Sequence, residues 1–157
     1  MRELTRKQKQ ISDAECKELL EREKRGFLAV NGDDGYPYVM PMNHWYDAET
    51  GCIWFHCGRA GHRLDALRRS QKVSFCVCEQ GTAREGEWVL DVRSVIVFGR
   101  IEIIDDIAEV ARVSRLLSYK FTSDESYIAQ EIAQYGRATL LLKLLPEGIC
   151  GKRVSES

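Results

Sequence analysis

Apolar residues along the chain first recur at helical spacing and then alternate. Cys16, Leu19 and Leu20 form one helical stripe, and Ser12-Asp13-Ala14-Glu15 before it has the form of a capping box. Ile11 and Cys16 are placed to act as the hydrophobic staple. The pattern predicts a helix over residues 13–25, with Gly26 as its C′ residue. Residues 27–30 then read as a short strand and 31–35 as a turn rich in residues that tolerate positive φ. Residues 36–46 read as one longer strand, 47–51 as a second turn and 52–57 as a third strand. This succession predicts an antiparallel meander. Residues 61–69 look like a short helix burying Leu64 and Leu67. Residues 72–78 alternate cleanly, with Val73, Phe75 and Val77 on one face and Ser74, Cys76 and Cys78 on the other.

After a polar loop at 79–87, residues 88–104 form a long β-rich run with Gly99 as a bulge or bend. Asp105 and Asp106 can cap a helix over 107–119. Thr122-x-x-Glu125 can cap another ending at Gly136, and the aspartates at helix starts, such as Asp13 and Asp124, are read as caps. Residues 138–145 are almost wholly apolar, as expected of a strand buried on both faces, and Pro146 is expected to stop it. Six or more strands with few helices predict a mainly β fold with flanking helices (α+β). The strands form an antiparallel barrel, closed or nearly so, with a sandwich as the alternative that periodicity does not separate. The length of 157 residues fits one domain over the whole chain, with residues 1–10 as a flexible, solvated tail.

Composition narrows the partners. Net charge is −1, with 23 basic and 24 acidic residues, which argues against a nucleic-acid or membrane surface. The basic start has no apolar segment after it, and no run is long enough to span a membrane, so a cytoplasmic protein is expected. In that reducing compartment the six cysteines are expected to be free, most of them as small buried hydrophobes. Cys52, His56, Cys57 and His62 are the best metal constellation, but their spacing matches no zinc module, and no metal is expected.

Dinucleotide, Walker, zincin and nucleophile-elbow motifs are all absent. The segment 55–67 draws attention instead. A strand ends, glycines open the backbone, and a helix starts with His62 and Arg63 in its first turn. Free N–H groups and the positive end of the helix dipole, joined by two basic side chains, make an anion site, with His56 aimed at the same place. A solvated basic helix start after ordinary turn glycines is the equal alternative. Asn43, His44 and Trp45 are polar or amphipathic groups in an apolar strand. They are either edge and interface residues or, for Asn43, a hydrogen-bonding group for a ligand. Alternation puts His44 on the face opposite Asn43. Trp54 and Trp88 are expected in the core or at a dimer interface.

Several runs together resemble the pyridoxamine-phosphate-oxidase-like split barrels, and most closely their nitroimidazole-resistance flavoprotein branch. They are Tyr36-Pro37-Tyr38-Val39-Met40-Pro41-Met42-Asn43, Ile53-Trp54-Phe55-His56, Gly61-His62-Arg63-Leu64-Asp65-Ala66-Leu67 and Lys72-Val73-Ser74-Phe75. Ser94-Val95-Ile96-Val97-Phe98-Gly99-Arg100 and the closing Ile149-x-Gly151-Lys152 extend the likeness over residues 11–152. The resemblance implies an FMN-binding split β-barrel that works as a homodimer, with two FMN sites at the subunit interface. It implies that Val39, Met40, Pro41, Met42 and Asn43 run beside the flavin ring. It implies that Gly61, His62 and Arg63 hold the phosphate with His56 nearby, and that Ser94 and Val95 lie near the ring or its chain. The expected activity is reduction of a small nitroaromatic- or quinone-like electrophile with a nicotinamide donor. The alternative is a non-catalytic flavin or haem module for storage or sensing, with His44, His56 or His62 as axial ligand. Pro37 stands where the true oxidases carry arginine and Met42 where they carry lysine. Their C-terminal arginine-and-tryptophan region has no counterpart, so oxidation of pyridoxamine phosphate itself is not expected.

Overall fold

The structure is a computed structural model that describes residues 5–156. The first four residues of the expected tail lie outside the described residues. Of the others, Lys7–Lys9 form a 3-10 turn and Gln10 bridges Lys152.

Helix α1 is Asp13–Arg22. The capping box forms as expected: Ser12 Oγ accepts from the Glu15 amide at 3.2 Å, and the Glu15 carboxylate accepts from the Ser12 amide at 3.0 Å. Ile11 and Cys16 are both buried. The helix ends earlier than expected, because Glu23 turns extended and Gly26 lies inside strand β1, Arg25–Asn31. Gly26 is therefore not a C′ residue. It leaves room for the Phe75 ring, whose Cζ would lie 2.4 Å from an added Cβ.

The expected long strand at 36–46 is two strands, β2 (Pro37–Asn43) and β3 (Trp45–Tyr46), broken at His44. Next come β4 (Ile53–Gly58), α2 (His62–Arg69) and β5 (Lys72–Cys78). The polar loop contains a short β6 (Thr82–Ala83) paired with β7 (Leu90–Ile104). Helices α3 (Ile107–Ser118) and α4 (Glu125–Tyr135) connect β7 to β8 (Thr139–Glu156). Asp106 caps α3 as expected, accepting from the Glu109 amide at 2.8 Å. The cap of α4 is Asp124 rather than Thr122: its carboxylate, the stronger acceptor, takes the Ser126 and Tyr127 amides, both at 3.0 Å. Thr122 Oγ1 instead accepts from the Asp124 amide.

Pro146 does not end the last strand. The β7–β8 register shifts between Phe98 and Gly99, so that Phe98 faces Gly148, Gly99 faces Pro146, and Glu147 is the extra residue. A missing N–H is tolerated at such a bulge.

All strand pairs are antiparallel, in the order β2-β1-β5-β7-β8-β4-β3. The expected meander is corrected here, since β2 does not pair with β4. The two edges, β2 and β3, are separated in sequence by His44 alone. The sheet therefore has to curl until its edges nearly meet, and the result is a barrel split between β2 and the β3–β4 edge. Pro37 and Pro41 are accommodated because β2 is an edge strand.

Alternation fills the barrel. Leu28, Met40, Met42, Phe55, Phe75, Val95, Leu142 and Leu144 point inward, and Leu19 and Leu20 of α1 join them. Outside, Trp54 and Leu141 pack with Val110 and Val113 of α3. Strands β4 and β8 are thus buried on both faces, as the apolar run in β8 predicts. The outer face of β2, β1 and β5 leaves Val39 and Phe27 more than half exposed, at 56% and 52%. No described helix is long and apolar enough to cross a membrane.

Candidate functional site

Helix α2 closes one end of the split. Gly61, its N-cap, has φ 118° and ψ 168°, a region open in practice to glycine. Nothing lies within 4 Å of where a Cβ would stand at Gly61 or at Gly58, so space remains beside the helix start. The amides of His62 and Arg63 are at the first two helical positions and have no helical carbonyl to bond.

Most basic groups around this helix are already paired. Arg59 binds Asp105 and donates to the Arg137 carbonyl, Arg68 meets Asp65 at 3.4 Å, and Arg69 meets Asp33. Arg63 differs. Among the described residues no carboxylate pairs with it. Its Nε donates to Met40 Sδ at 2.9 Å, and its positive charge also acts on the Cys57 thiol. Met40 belongs to β2 and Cys57 to β4, so this half-buried guanidinium lies across the split and rests on sulfur, a weak acceptor. Burial pushes the Cys57 thiol up, partly offset by Arg63.

His62 stacks on Tyr38, with centroids 4.3 Å apart and planes at 19°, and its Nε2 is 3.4 Å from Asp33 Oδ2. His56 points outward from β4. Its surroundings push its pKa below the ordinary value, first by desolvation and then through the positive charge of Arg63. It is therefore a neutral imidazole near pH 7.

His56 and Asn43 line one pocket of about 260 Å³. Asn43 comes from the β2 edge and His56 from the other side of the split. The opposite wall is aromatic and carries Phe121, Tyr127 and Tyr135 from the α3–α4 segment. Arg25 Nε donates to Asn43 Oδ1 at 2.8 Å. A guanidinium can only donate, so the amide is oriented with its NH2 turned away from Arg25 and free to bind an acceptor. The pocket thus offers planar aromatic packing and a hydrogen-bond donor.

The expected site residues divide. Arg63, His62 and Gly61 meet at the helix start, with His56 within the field of Arg63. Of the run beside the expected ring, Val39, Pro41 and Asn43 face outward, whereas Met40 and Met42 point into the barrel and reach an outside ligand only through their backbone. Val95 is likewise interior. Ser94 is on the outer side of β7, between Cys78 and Lys152, and neither lines the pocket. Of the three histidines, His44 is sealed in the core, with Nε2 2.8 Å from the Leu20 carbonyl oxygen, and is unavailable to a ligand. Asp33, Tyr38, Arg25 and the aromatic wall were not anticipated. Each joins the site through a contact distant in sequence, and no local signal marks it.

Among the described residues, no three His, Cys, Asp or Glu side chains converge in a way that could hold a metal. Cys16 and Cys52 are buried, Cys57, Cys76 and Cys150 are half-buried, and Cys78 is exposed. Trp54 is core, beneath α3, while Trp88 is 97% exposed.

An antiparallel split barrel with a strand–glycine–helix junction at its opening defines the class of the split-barrel proteins. The family model for pyridoxamine 5'-phosphate oxidase matches residues 12–153, and the chain belongs to that family. No curated protein matches it in sequence. Among solved structures it resembles a candidate 5-nitroimidazole antibiotic resistance protein from Bacteroides thetaiotaomicron (20% identity, TM-score 0.76, 92% of this chain and 85% of that one). It also resembles a conserved hypothetical protein from Mycobacterium tuberculosis (23% identity, TM-score 0.78, 96% and 89%). A third is the FAD and heme binding protein from Mycobacterium smegmatis (22% identity, TM-score 0.68, 93% and 72%). At these identities the likeness carries the fold.

Proposed function

We propose that this chain is an FMN-binding flavoprotein that works as a homodimer. In that form it reduces a small nitroaromatic- or quinone-like electrophile with electrons from a nicotinamide nucleotide. The observation that carries this reading is Arg63. A half-buried guanidinium with no carboxylate partner, beside free helix amides and open glycine backbone, suits a phosphate. The neighbouring pocket, with its aromatic wall and the donor of Asn43, suits an acceptor-rich planar ring. A ligand with a phosphate at one end and a ring system at the other satisfies both, and FMN is such a molecule. The structural neighbour named for FAD and heme supports a flavin in this fold.

Bound FMN would supply the two-electron chemistry, so no side-chain nucleophile is needed. The protein's part is to hold the phosphate through Arg63 and His62, to present a donor from Asn43, and to exclude water with the aromatic wall. Neutral His56 can exchange a proton with a ligand in the pocket. Pro37 and Met42 argue against pyridoxamine phosphate as substrate: proline has no charge to offer, and Met42 is turned into the barrel. The outer face of β2, β1, β5 and β7, with Val39, Phe27, Cys76, Ile96 and Phe98, suits a second copy of the chain. Ser94 lies on that face and would approach the partner's site.

Arg63→Ala is expected to weaken FMN binding about tenfold to a hundredfold, while riboflavin binding changes little, because a charged hydrogen bond is worth ~1.5–3 kcal/mol. Adding His62→Ala should widen the gap. Fluorescence titration with both ligands checks this, and equal losses for the two would remove the phosphate assignment. A haem module is the second reading, resting on His56 as the one histidine facing the pocket. A Soret band with no flavin absorbance in the purified protein would favour it.

A further inference from the structure

Asp33 occupies the position where an anion would meet the outer face of α2. One carboxylate oxygen lies 3.4 Å from His62 Nε2, and the other accepts from the Arg69 guanidinium. The two basic residues are seven apart in α2, so they stand on one face two turns apart. Asp33 reaches them from the β1–β2 turn, whose shape is well determined. The Gly32 amide donates to the Tyr36 carbonyl and the Tyr36 amide to the Asp33 carbonyl, at 2.9 and 3.0 Å. Asp34 and Gly35 both have positive φ, at 54° and 79°. Asn31 Nδ2 donates to Ser70 Oγ at 2.9 Å, which ties the start of this turn to the end of α2. Tyr38, from the same hairpin, stacks on His62 and holds its ring toward Asp33. The hairpin therefore presents a carboxylate to His62 and Arg69 and leaves Arg63, which turns toward Met40, without one.

We infer that Asp33 is a built-in competitor for the phosphate end of the ligand, so that the bound flavin is exchangeable rather than permanently resident. This inference rests on the phosphate assignment at His62 and Arg63 and adds a residue that limits it. A phosphate monoester carries close to two negative charges at neutral pH and repels a carboxylate held on the same basic groups. To engage His62 it has to displace Asp33 or pivot the imidazole away from it. A ligand without phosphate meets no such competition. Asp33 thus sets how strongly the site prefers a charged ligand end over an uncharged one, and so how readily FMN leaves.

The test compares Asp33→Asn with the unmodified protein by flavin fluorescence titration, using FMN and riboflavin, and by the rate of FMN release on dilution. Asparagine keeps the shape of the turn and removes the charge. Asp34→Asn is the control, because it removes the same charge one residue away from the contact. The expected result is an FMN dissociation constant about threefold to tenfold lower in Asp33→Asn, with a matching slowing of release. Riboflavin binding should be unchanged, and Asp34→Asn should stay within about twofold of the parent. An unchanged FMN affinity in Asp33→Asn overturns the inference. So does a weakened one, which would make Asp33 a positioning residue for His62. The same tightening in Asp34→Asn would also overturn it by reducing the effect to net charge. Failure of the phosphate assignment itself is distinguishable, since then Arg63→Ala would reduce FMN and riboflavin binding equally whatever Asp33 does.

Discussion

At the scale of single residues, His44 shows how much one side chain can carry without touching a ligand. It is fully buried, edge-on to Phe75 with ring centroids 5.0 Å apart, and sits where the chain passes from one edge of the sheet to the other. Its Nε2 faces the Leu20 carbonyl and so must carry the proton, while Nδ1 has no partner among the described residues. Desolvation, aided by the charge of Lys120, lowers its pKa from 6.5 to about 3. Its contribution to stability is fully present above pH 6.5, where it is neutral in both states. Below that value the unfolded chain takes up a proton that the native protein refuses. Stability falls with falling pH, by up to about 1.4 kcal/mol per pH unit for one full proton, until the native form also protonates near pH 3. His44→Gln keeps a donor for Leu20 and has no charge to gain. Its urea midpoint should decline less between pH 6.5 and 4 than that of the parent. Parallel declines would show that the acid sensitivity lies elsewhere. The alternation of the strand correctly placed Asn43 and His44 on opposite faces. Which of those faces was the core depended on residues far along the chain.

At the scale of elements, most signals that need only near neighbours held, the stop at Gly26 and the cap at Thr122 excepted, and those that need distant partners did not. The capping box at Ser12, the Asp106 cap and the alternation in β5 act within four residues of themselves, and the structure reproduces them. The strand at 36–46 failed because its two halves pair with different neighbours, β2 with β1 and β3 with β4. Nothing in its local composition separates them. Pro146 failed as a stop for a related reason: the β7–β8 ladder is long enough to absorb a bulge and continue. Gly99 shows why the bulge is tolerated there. An added Cβ would lie 2.2 Å from the Leu145 carbonyl oxygen, a backbone atom that cannot move aside alone. Gly99→Ala is therefore expected to destabilise the protein by about 2–3 kcal/mol, the upper part of the overpacking range. Chemical denaturation checks this, and a loss below about 0.5 kcal/mol would mean that the strands separate there at little cost.

At the scale of the whole molecule, the outer sheet face is the feature a lone chain leaves unexplained. The ladder sets Pro41 beside Phe27, Cys76 and Ile96 in one row, and Val39 beside Ala29, Ser74 and Phe98 in the next. Phe98 is 42% exposed in that row. If a second copy covers this face, the protein sediments as a dimer at micromolar concentration. Phe27→Asp with Phe98→Asp, two charges on an apolar surface, should then yield a monomer that keeps its fold and binds FMN less tightly. A parent protein that sediments as a monomer would refute the dimer. A monomeric variant with undiminished FMN affinity would place the flavin site wholly within one chain.

The sequence by itself determined where the helices lie and the caps at Ser12 and Asp106, the glycine-opened junction at Gly61, the basic pair at its start and the in–out alternation that fills the barrel. These are set by residues a few positions apart and by side-chain polarity. Tertiary structure alone decided which strands meet, and with that the split between β2 and β4. It laid Arg63 across that split on Met40 and Cys57, set Asp33 against His62, and brought the α3–α4 aromatics over Asn43 and His56. The physical reason is closure. When the sheet curls until edges one residue apart in sequence face each other, it brings together groups that no local spacing connects, and the candidate site is built from those groups.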